Sequence, residues 1–280
     1  MTAPPSPVAP AVALRGLTKY FGQQVAVAGI NLDVPVGSFV GLVGPNGAGK
    51  STTLAMITGL LRPDAGNVYL HGHDVWQDPE HARRTIGVVP EDLRLFERLS
   101  GRELLEYSGR LRSIPKATTM TRAEELLAVL GLGEEANKLV VDYSSGMRKK
   151  IALASALIHS PSILFLDEPF ESVDPVSART MRSVLQRLIT TGATVVFSSH
   201  VMDLVERLCD RIAIVHHGYL MADGPTATVC NGLRLEDRFA EIVGVTDLSD
   251  TSLSWLHGGS TDQSGQPGQS GQPGTESIPQ

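Results

Sequence analysis

The sequence predicts an α/β fold, a mostly parallel sheet with helices on its faces. Short apolar runs recur at Phe39–Val43, Ile163–Leu166 and Thr194–Phe197, each too short for a helix. Helical stretches stand between them, at Lys50–Leu61 and at about Ala178–Ile189. Strands that are apolar throughout, alternating with helices, pair in parallel and bury both faces.

The elements follow in order. Residues 1–12 are rich in Pro and Ala and are expected to be a disordered lead-in. Gln24–Val34 alternates apolar and polar side chains and ends at the turn Pro35-Val36-Gly37. The helix from Lys50 is expected to run to Leu61, where Arg62-Pro63-Asp64 stops it. Thr85–Val89 is a further strand, closed by Pro90. From Leu99 to about Ser160 the pattern turns helical, with Leu104, Leu105, Leu111, Leu126, Leu127 and Leu130 as its apolar positions. Arg211–Val215 and Tyr219–Ala222 flank His216-His217-Gly218 as a closing hairpin, and Arg234–Val243 forms a last helix. A C-terminal extension (245–257) leads to a low-complexity segment, 258–280, where Ser264-Gly265-Gln266-Pro267-Gly268 recurs as Ser270-Gly271-Gln272-Pro273-Gly274. Such a segment is expected to be a solvated coil.

Composition narrows the function. Lys and Arg total 24 against 30 Asp and Glu, a net charge of −6, which argues against nucleic-acid binding by bulk basicity. Hydrophobic residues make up 42%, enough for a sizeable core. No run of about 18 apolar residues is present to cross a membrane, and Met1–Pro10 lacks the pattern of a secretory signal. Two cysteines, Cys209 and Cys230, form neither a metal tetrad nor a disulfide framework and suit a reducing compartment. The expected location is cytoplasmic, with any work at a membrane done through a partner.

Two motifs carry chemistry. Gly44-Pro45-Asn46-Gly47-Ala48-Gly49-Lys50-Ser51 fits the phosphate-loop pattern G-x-x-x-x-G-K-[ST] between a buried strand and a helix. Glycines let successive N–H groups turn inward on a phosphate chain, and the helix N-terminus adds positive potential. Lys50 is placed to bridge β- and γ-phosphates and Ser51 to ligate Mg²⁺. The second motif is the strand Ile163–Leu166 ending in Asp167-Glu168. It delivers Asp167 to the carboxyl edge of the sheet as a Mg²⁺ holder, with Glu168 beside it as general base toward an attacking water.

Between these motifs stands Tyr143-Ser144-Ser145-Gly146-Met147-Arg148-Lys149-Lys150. Here the sequence resembles the ATP-binding-cassette (ABC) ATPases, the nucleotide-binding subunits of ABC transporters. Their signature reads L-S-G-G-Q before a helix; this chain keeps Ser144 and Gly146 but has Tyr143, Ser145 and Met147 at the other places. An ordinary helix N-cap is the plain alternative for Ser144 or Ser145. The resemblance continues through Glu171-Ser172-Val173-Asp174, like the loop whose Asp lies near the dimer seam. It includes His200, like the γ-phosphate-sensing switch histidine, and Phe21, like the adenine-stacking aromatic, with Tyr20 as the other candidate. After Val89 most members have Gln; here Pro90 is followed by Glu91, which can still ligate Mg²⁺ but adds negative charge.

The resemblance spans about residues 13–244. It implies a P-loop NTPase of ABC type, with an antiparallel β subdomain and an inserted helical subdomain at about 91–160. It also implies ATP and Mg²⁺ as ligands, held by Phe21, Gly44, Asn46, Gly47, Gly49, Lys50, Ser51, Thr52 and Glu91 on one subunit. Ser144 and Gly146 act from the opposite one, with Asp174 near the dimer seam. The implied partners are a second ABC ATPase, identical or not, and a transmembrane permease on a separate chain, at the inner face of the cell membrane. The Gly-Met-Arg-Lys-Lys form of the signature together with Glu91 is similar to ABC-2-type exporter ATPases. The alternatives are a non-hydrolysing ATP-binding regulatory module and a soluble ABC ATPase acting on nucleic acid or ribosomes.

Overall fold

A computed structural model describes residues 9–244. The first eight residues, the expected extension at 245–257 and the expected tail at 258–280 lie outside the described residues. Along the chain come β1 (Val12–Phe21), β2 (Gln24–Val34), β3 (Phe39–Val43), α1 (Lys50–Ile57), β4 (Ala65–Leu70) and β5 (His73–Asp74). Then follow α2 (Pro79–Thr85), β6 (Ile86–Val89), α3 (Gly101–Leu111), α4 (Lys116–Val129), a 3₁₀ turn at Val140–Asp142, α5 (Ser145–Leu157) and β7 (Ile163–Leu166). The last elements are α6 (Pro175–Thr190), β8 (Thr194–Ser199), α7 (Met202–Leu208), β9 (Arg211–His216), β10 (Tyr219–Pro225), α8 (Thr226–Cys230) and α9 (Leu235–Val243).

They build two sheets. The six-stranded sheet has the order β10-β9-β3-β8-β7-β6 and is parallel except for the β9–β10 hairpin. The second is antiparallel, in the order β2-β1-β4-β5. Side-chain alternation along the parallel strands sorts the core into two layers. Phe39, Val43, Leu164, Leu166, Val195 and Phe197 face a cluster with Leu104, Leu127, Ile151 and Leu153 of the helices. Val40, Leu42, Ile163, Phe165 and Val196 face a cluster with Leu14, Leu17, Leu32 and Val68 of the antiparallel sheet and Leu54 of α1. A sheet buried on both faces is why β3, β6 and β7 carry no polar side chain, and why the polar ones of β8 (Thr194, Ser198 and Ser199) are buried too.

Several boundaries differ from expectation. The lead-in does not reach residue 12: Ala11 is buried, its N–H donates to Val34 O at 2.8 Å, and β1 begins at Val12. α1 ends at Ile57 rather than Leu61, because Leu60 and Leu61 both turn their N–H groups back to Ala55 O (2.9 and 3.0 Å). Leu111, expected as an apolar helical position, is exposed at the end of α3. Ser100 caps that helix with a reciprocal Glu103 bond, a capping box.

The two sheets meet at the turn after β9. Gly218 donates its N–H to Ala48 O and accepts at its O from Ala28 N–H, both at 2.9 Å. The turn therefore holds the phosphate loop on one side and β2 on the other.

His159, just past α5, ties that helix to β6. Its Nε2 lies 2.9 Å from Ile86 O, so Nε2 carries the proton, and the buried Nδ1 has no partner. Burial, with Arg112 and Arg122 nearby, pushes its pKa down from the ordinary 6.5 to about 4. The folded state therefore holds His159 neutral while the unfolded chain takes up a proton below about pH 6.5. Stability against urea should fall as pH drops from about 6.5 toward 4, a loss that His71 and His216 share because burial lowers their pKa values too. His159→Gln should flatten the slope in this window; an unchanged slope would assign the loss to other groups.

Candidate active site

Parallel pairing brings the strand ends to one level. Val89 pairs with Leu166, Leu166 with Phe197, and Val43 with Ser199. The residues that follow β3, β6 and β7, and the end of β8 itself, therefore emerge along one carboxyl edge of the sheet. They line a cleft of about 410 Å³ formed with the antiparallel sheet. Of the expected residues, Phe21, Asn46, Gly47, Gly49, Lys50, Ser51, Thr52, Glu91, Glu168 and His200 are in it, joined by Gln24, Ala26 and Glu171. Phe21 is 53% exposed and lines the cleft, whereas Tyr20 does not.

The loop before α1 depends on glycine at two close approaches. Gly49 has φ +104°, and a Cβ there would stand 2.5 Å from Ala26 O. A Cβ at Gly44 would stand 2.1 Å from Val215 O. No side chain caps α1, so its first N–H groups are left for an anion. Lys50 is only 5% exposed. Its Nζ donates to Gly44 O (2.8 Å) and Pro45 O (3.1 Å) and lies 3.5 Å from Glu168 Oε1. A buried ammonium held over this loop suits a phosphate chain.

The carboxylates are held by a residue the motifs do not name. Ser198 Oγ donates to Asp167 Oδ1 and accepts from the Glu168 N–H at 3.0 Å. Ser51 Oγ donates to the same Asp167 oxygen at 3.2 Å. A hydroxyl and a carboxylate oxygen this close form a hard-oxygen pair suited to Mg²⁺. Glu168 is nine-tenths buried with φ +42°, left-handed for a bulky residue. Its Oε1 lies 3.1 Å from His200 Nδ1, yet accepts no hydrogen bond of proper geometry. A buried carboxylate oxygen left open beside a phosphate loop is poised to accept a proton.

A model of the ABC transporter family matches residues 27–171. The chain belongs to the ABC transporter family. It is 39% identical over 223 residues to the daunorubicin/doxorubicin resistance ATP-binding protein DrrA of Streptomyces peucetius, covering 80% of this chain and 68% of that protein. Its identity is 37% to the linearmycin resistance ATP-binding protein LnrL of Bacillus subtilis, covering 78% of this chain and 70% of LnrL. It is 38% identical to the Nod factor export ATP-binding protein I of Burkholderia lata, over 78% of this chain and 71% of that one. A solved ATP-binding subunit of an ABC transporter superposes with a TM-score of 0.78 at 27% identity, covering 83% of this chain and 99% of the other. A dimeric ATP-binding cassette in a post-hydrolysis state with ADP and Pi gives 0.71, also at 27%, over 77% and 98%. The chain is thus an ABC-transporter ATP-binding subunit and an ATPase.

The cassette's signature and Asp174 do not line the cleft. Ser144 is the N-cap of α5, accepting from Met147 N–H at 3.3 Å, so the plain capping role is present. Its hydroxyl hydrogen is not used in that bond. Ser145 Oγ donates to Ser172 O at 2.8 Å. A Cβ on Gly146 would stand 2.6 Å from Asp174 Oδ2, so signature and Asp174 touch each other away from the phosphate loop. Asp174 caps α6, and the Ser177 N–H and hydroxyl hold its carboxyl below the usual range.

Glu91 lies in the cleft, and the chain supplies a cation near it. Lys149, on the buried face of α5, donates to Glu168 O at 3.1 Å. Burial pulls its pKa down, while the charges of Glu171, Glu91, Asp167 and Glu168 push it up, leaving it below the usual lysine value. The run Arg148-Lys149-Lys150 marks a basic helix start but not which side chain turns inward. Ser198 likewise follows only from register: it sits on β8 level with Asp167. Replacing it with Ala should lower ATP turnover about 10–100-fold, the range for second-layer partners of metal ligands, with nucleotide affinity nearly kept. Phosphate release and a nucleotide titration check this; wild-type turnover would remove Ser198 from the machinery.

Proposed function

We propose that the chain is the ATPase of an exporter, working as a dimer on a separate transmembrane permease at the inner face of the cell membrane. One relative is named for Nod factor export, which supports the outward direction, and two are named as resistance proteins for daunorubicin/doxorubicin and linearmycin, for which outward transport is one route. Among the described residues no helix is long and apolar enough to cross a membrane, so a permease would have to be supplied from outside them.

The observation that carries the site assignment is the cleft itself, where Lys50 and the open Oε1 of Glu168 face one another. ATP is held by the loop N–H groups from Gly44 to Ser51 and Thr52, with Phe21 at the base end. Ser51, Asp167 and Glu91 would hold Mg²⁺, which when bound would supply positive charge against the phosphates. Lys50 balances charge on the same phosphates. Glu168 takes the proton of the attacking water as its oxygen bonds to the γ-phosphorus and the bond to ADP breaks. His200, whose Nδ1 lies 3.1 Å from Glu168 Oε1, senses the γ-phosphate at the same place.

Each site is completed by Ser144 and Gly146 of a second copy or of a related ATPase, with Asp174 near the seam. Their position away from the cleft of their own chain, with one hydroxyl hydrogen still to give, supports a role across the dimer. Closure then depends on γ-phosphate contacts and ends with hydrolysis.

Glu168→Gln should keep ATP binding, accumulate a closed dimer in size-exclusion chromatography with ATP, and cut turnover about 10²–10⁴-fold. Phosphate release near the wild-type rate would sink the role given to Glu168. Lys50→Ala should weaken nucleotide binding at least tenfold by titration, about the worth of one charge-assisted hydrogen bond; unchanged affinity would overturn the phosphate-loop assignment.

A further inference from the structure

A second group of ligand-type side chains lies apart from the nucleotide cleft. His73 is on β5, Asp78 is the N-cap of α2, and His81 is in its first turn. One donor atom from each lies within 4.8 Å of the other two. The imidazoles stack, with ring centroids 3.9 Å apart and planes inclined by 28°. Nε2 of His81 is buried and has no hydrogen-bond partner, whereas most buried polar atoms are paired. Asp78 Oδ1 accepts the His81 backbone N–H at 3.1 Å, a bond that uses one of its two carboxylate oxygens.

We infer that His73, Asp78 and His81 form a binding site for one divalent transition-metal ion of the zinc class. Two imidazole nitrogens and one carboxylate oxygen suit Zn²⁺, Co²⁺, Ni²⁺ or Cu²⁺, while Mg²⁺ prefers an all-oxygen shell. Tetrahedral zinc with nitrogen and oxygen ligands sets donor atoms about 3.3 Å apart. The exposed side chains of His73 and Asp78 can rotate inward by that difference, and His81, half-buried, is already held by its helix. An ion bound there would give the His81 ring, whose Nε2 is unpartnered, a ligand partner. Its place in the fold makes it a clasp: it joins β5, the edge of the antiparallel sheet, to α2, which runs directly into β6 and the Glu91 loop.

The test uses the untagged full chain, stripped with a chelator and titrated with Zn²⁺ against a chromophoric competitor in excess Mg²⁺. One Zn²⁺ per chain is expected, and Co²⁺ in its place should show the visible bands of a four-coordinate site. H73A and H81A should each weaken uptake by more than about tenfold. Asp78→Asn keeps a good helix cap, so the same loss there reports ligation rather than folding. All three variants should bind ATP like the wild type, which shows that they fold. Absence of stoichiometric Zn²⁺ uptake by the wild type, or uptake unchanged in the H73A/H81A double variant, would overturn the site.

Discussion

The arrangement of the cleft depends on one constraint, the in-register parallel pairing of β6, β7, β8 and β3. Parallel strands end on the same edge, and here the paired residues set Asp167 beside Ser198 and Gly44 close to His200. The groups are spread over more than a hundred residues of sequence, from the phosphate loop to His200, yet no loop has to be folded with precision to unite them. Antiparallel pairing of any one of these strands would send its chemistry to the opposite edge. The buried layers on both faces hold the register, since a slip by one residue would turn Phe165 and Phe197 into the wrong layers.

Charge is the second organising term. Asp167, Glu168, Glu171 and Glu91 gather where a polyanion must also bind, and the buried Lys50 and Lys149 stand beside Glu168. Lys50 points to the loop and Lys149 to the backbone of Glu168. The Glu168 backbone is in a left-handed conformation that costs on the order of 1–3 kcal/mol. It persists because Ser198 holds its N–H, Lys149 holds its carbonyl, and the buried strand β7 leads straight into it. The strain thus sits at the residue whose carboxylate is left open.

Much of this was legible in the sequence. The phosphate loop, Asp167-Glu168, Glu91 and His200 were found as motifs; Asn46, Gly47, Gly49, Lys50, Ser51, Thr52, Glu91, Glu168 and His200 contribute to one cleft, while Gly44 and Asp167 stand behind its lining, Asp167 bonded to Ser51. They are legible because each stands at the end of an apolar run, so the pattern that marks the strand also marks the site. β1 was not legible, because Gly16 and Lys19 break its alternation where its pairing with β2 shifts register. β4, β5 and α2 are short and take their order from neighbours rather than from their own pattern. Ser198 and Lys149 were missed for a related reason: one is a serine in a strand and the other a lysine in a basic run. Only packing shows that both are buried at the carboxylates.

The turn at Gly218 has a mechanical consequence. Its amide bonds to the phosphate loop and its carbonyl to β2, so a single residue bears load from both sheets. A torque on the antiparallel sheet, which carries Phe21, reaches the loop around Lys50 through two hydrogen bonds in series, without first crossing the hydrophobic layers. The base end and the phosphate end of the cleft are in that sense mounted on one short lever, and the pivot is a residue with no side chain.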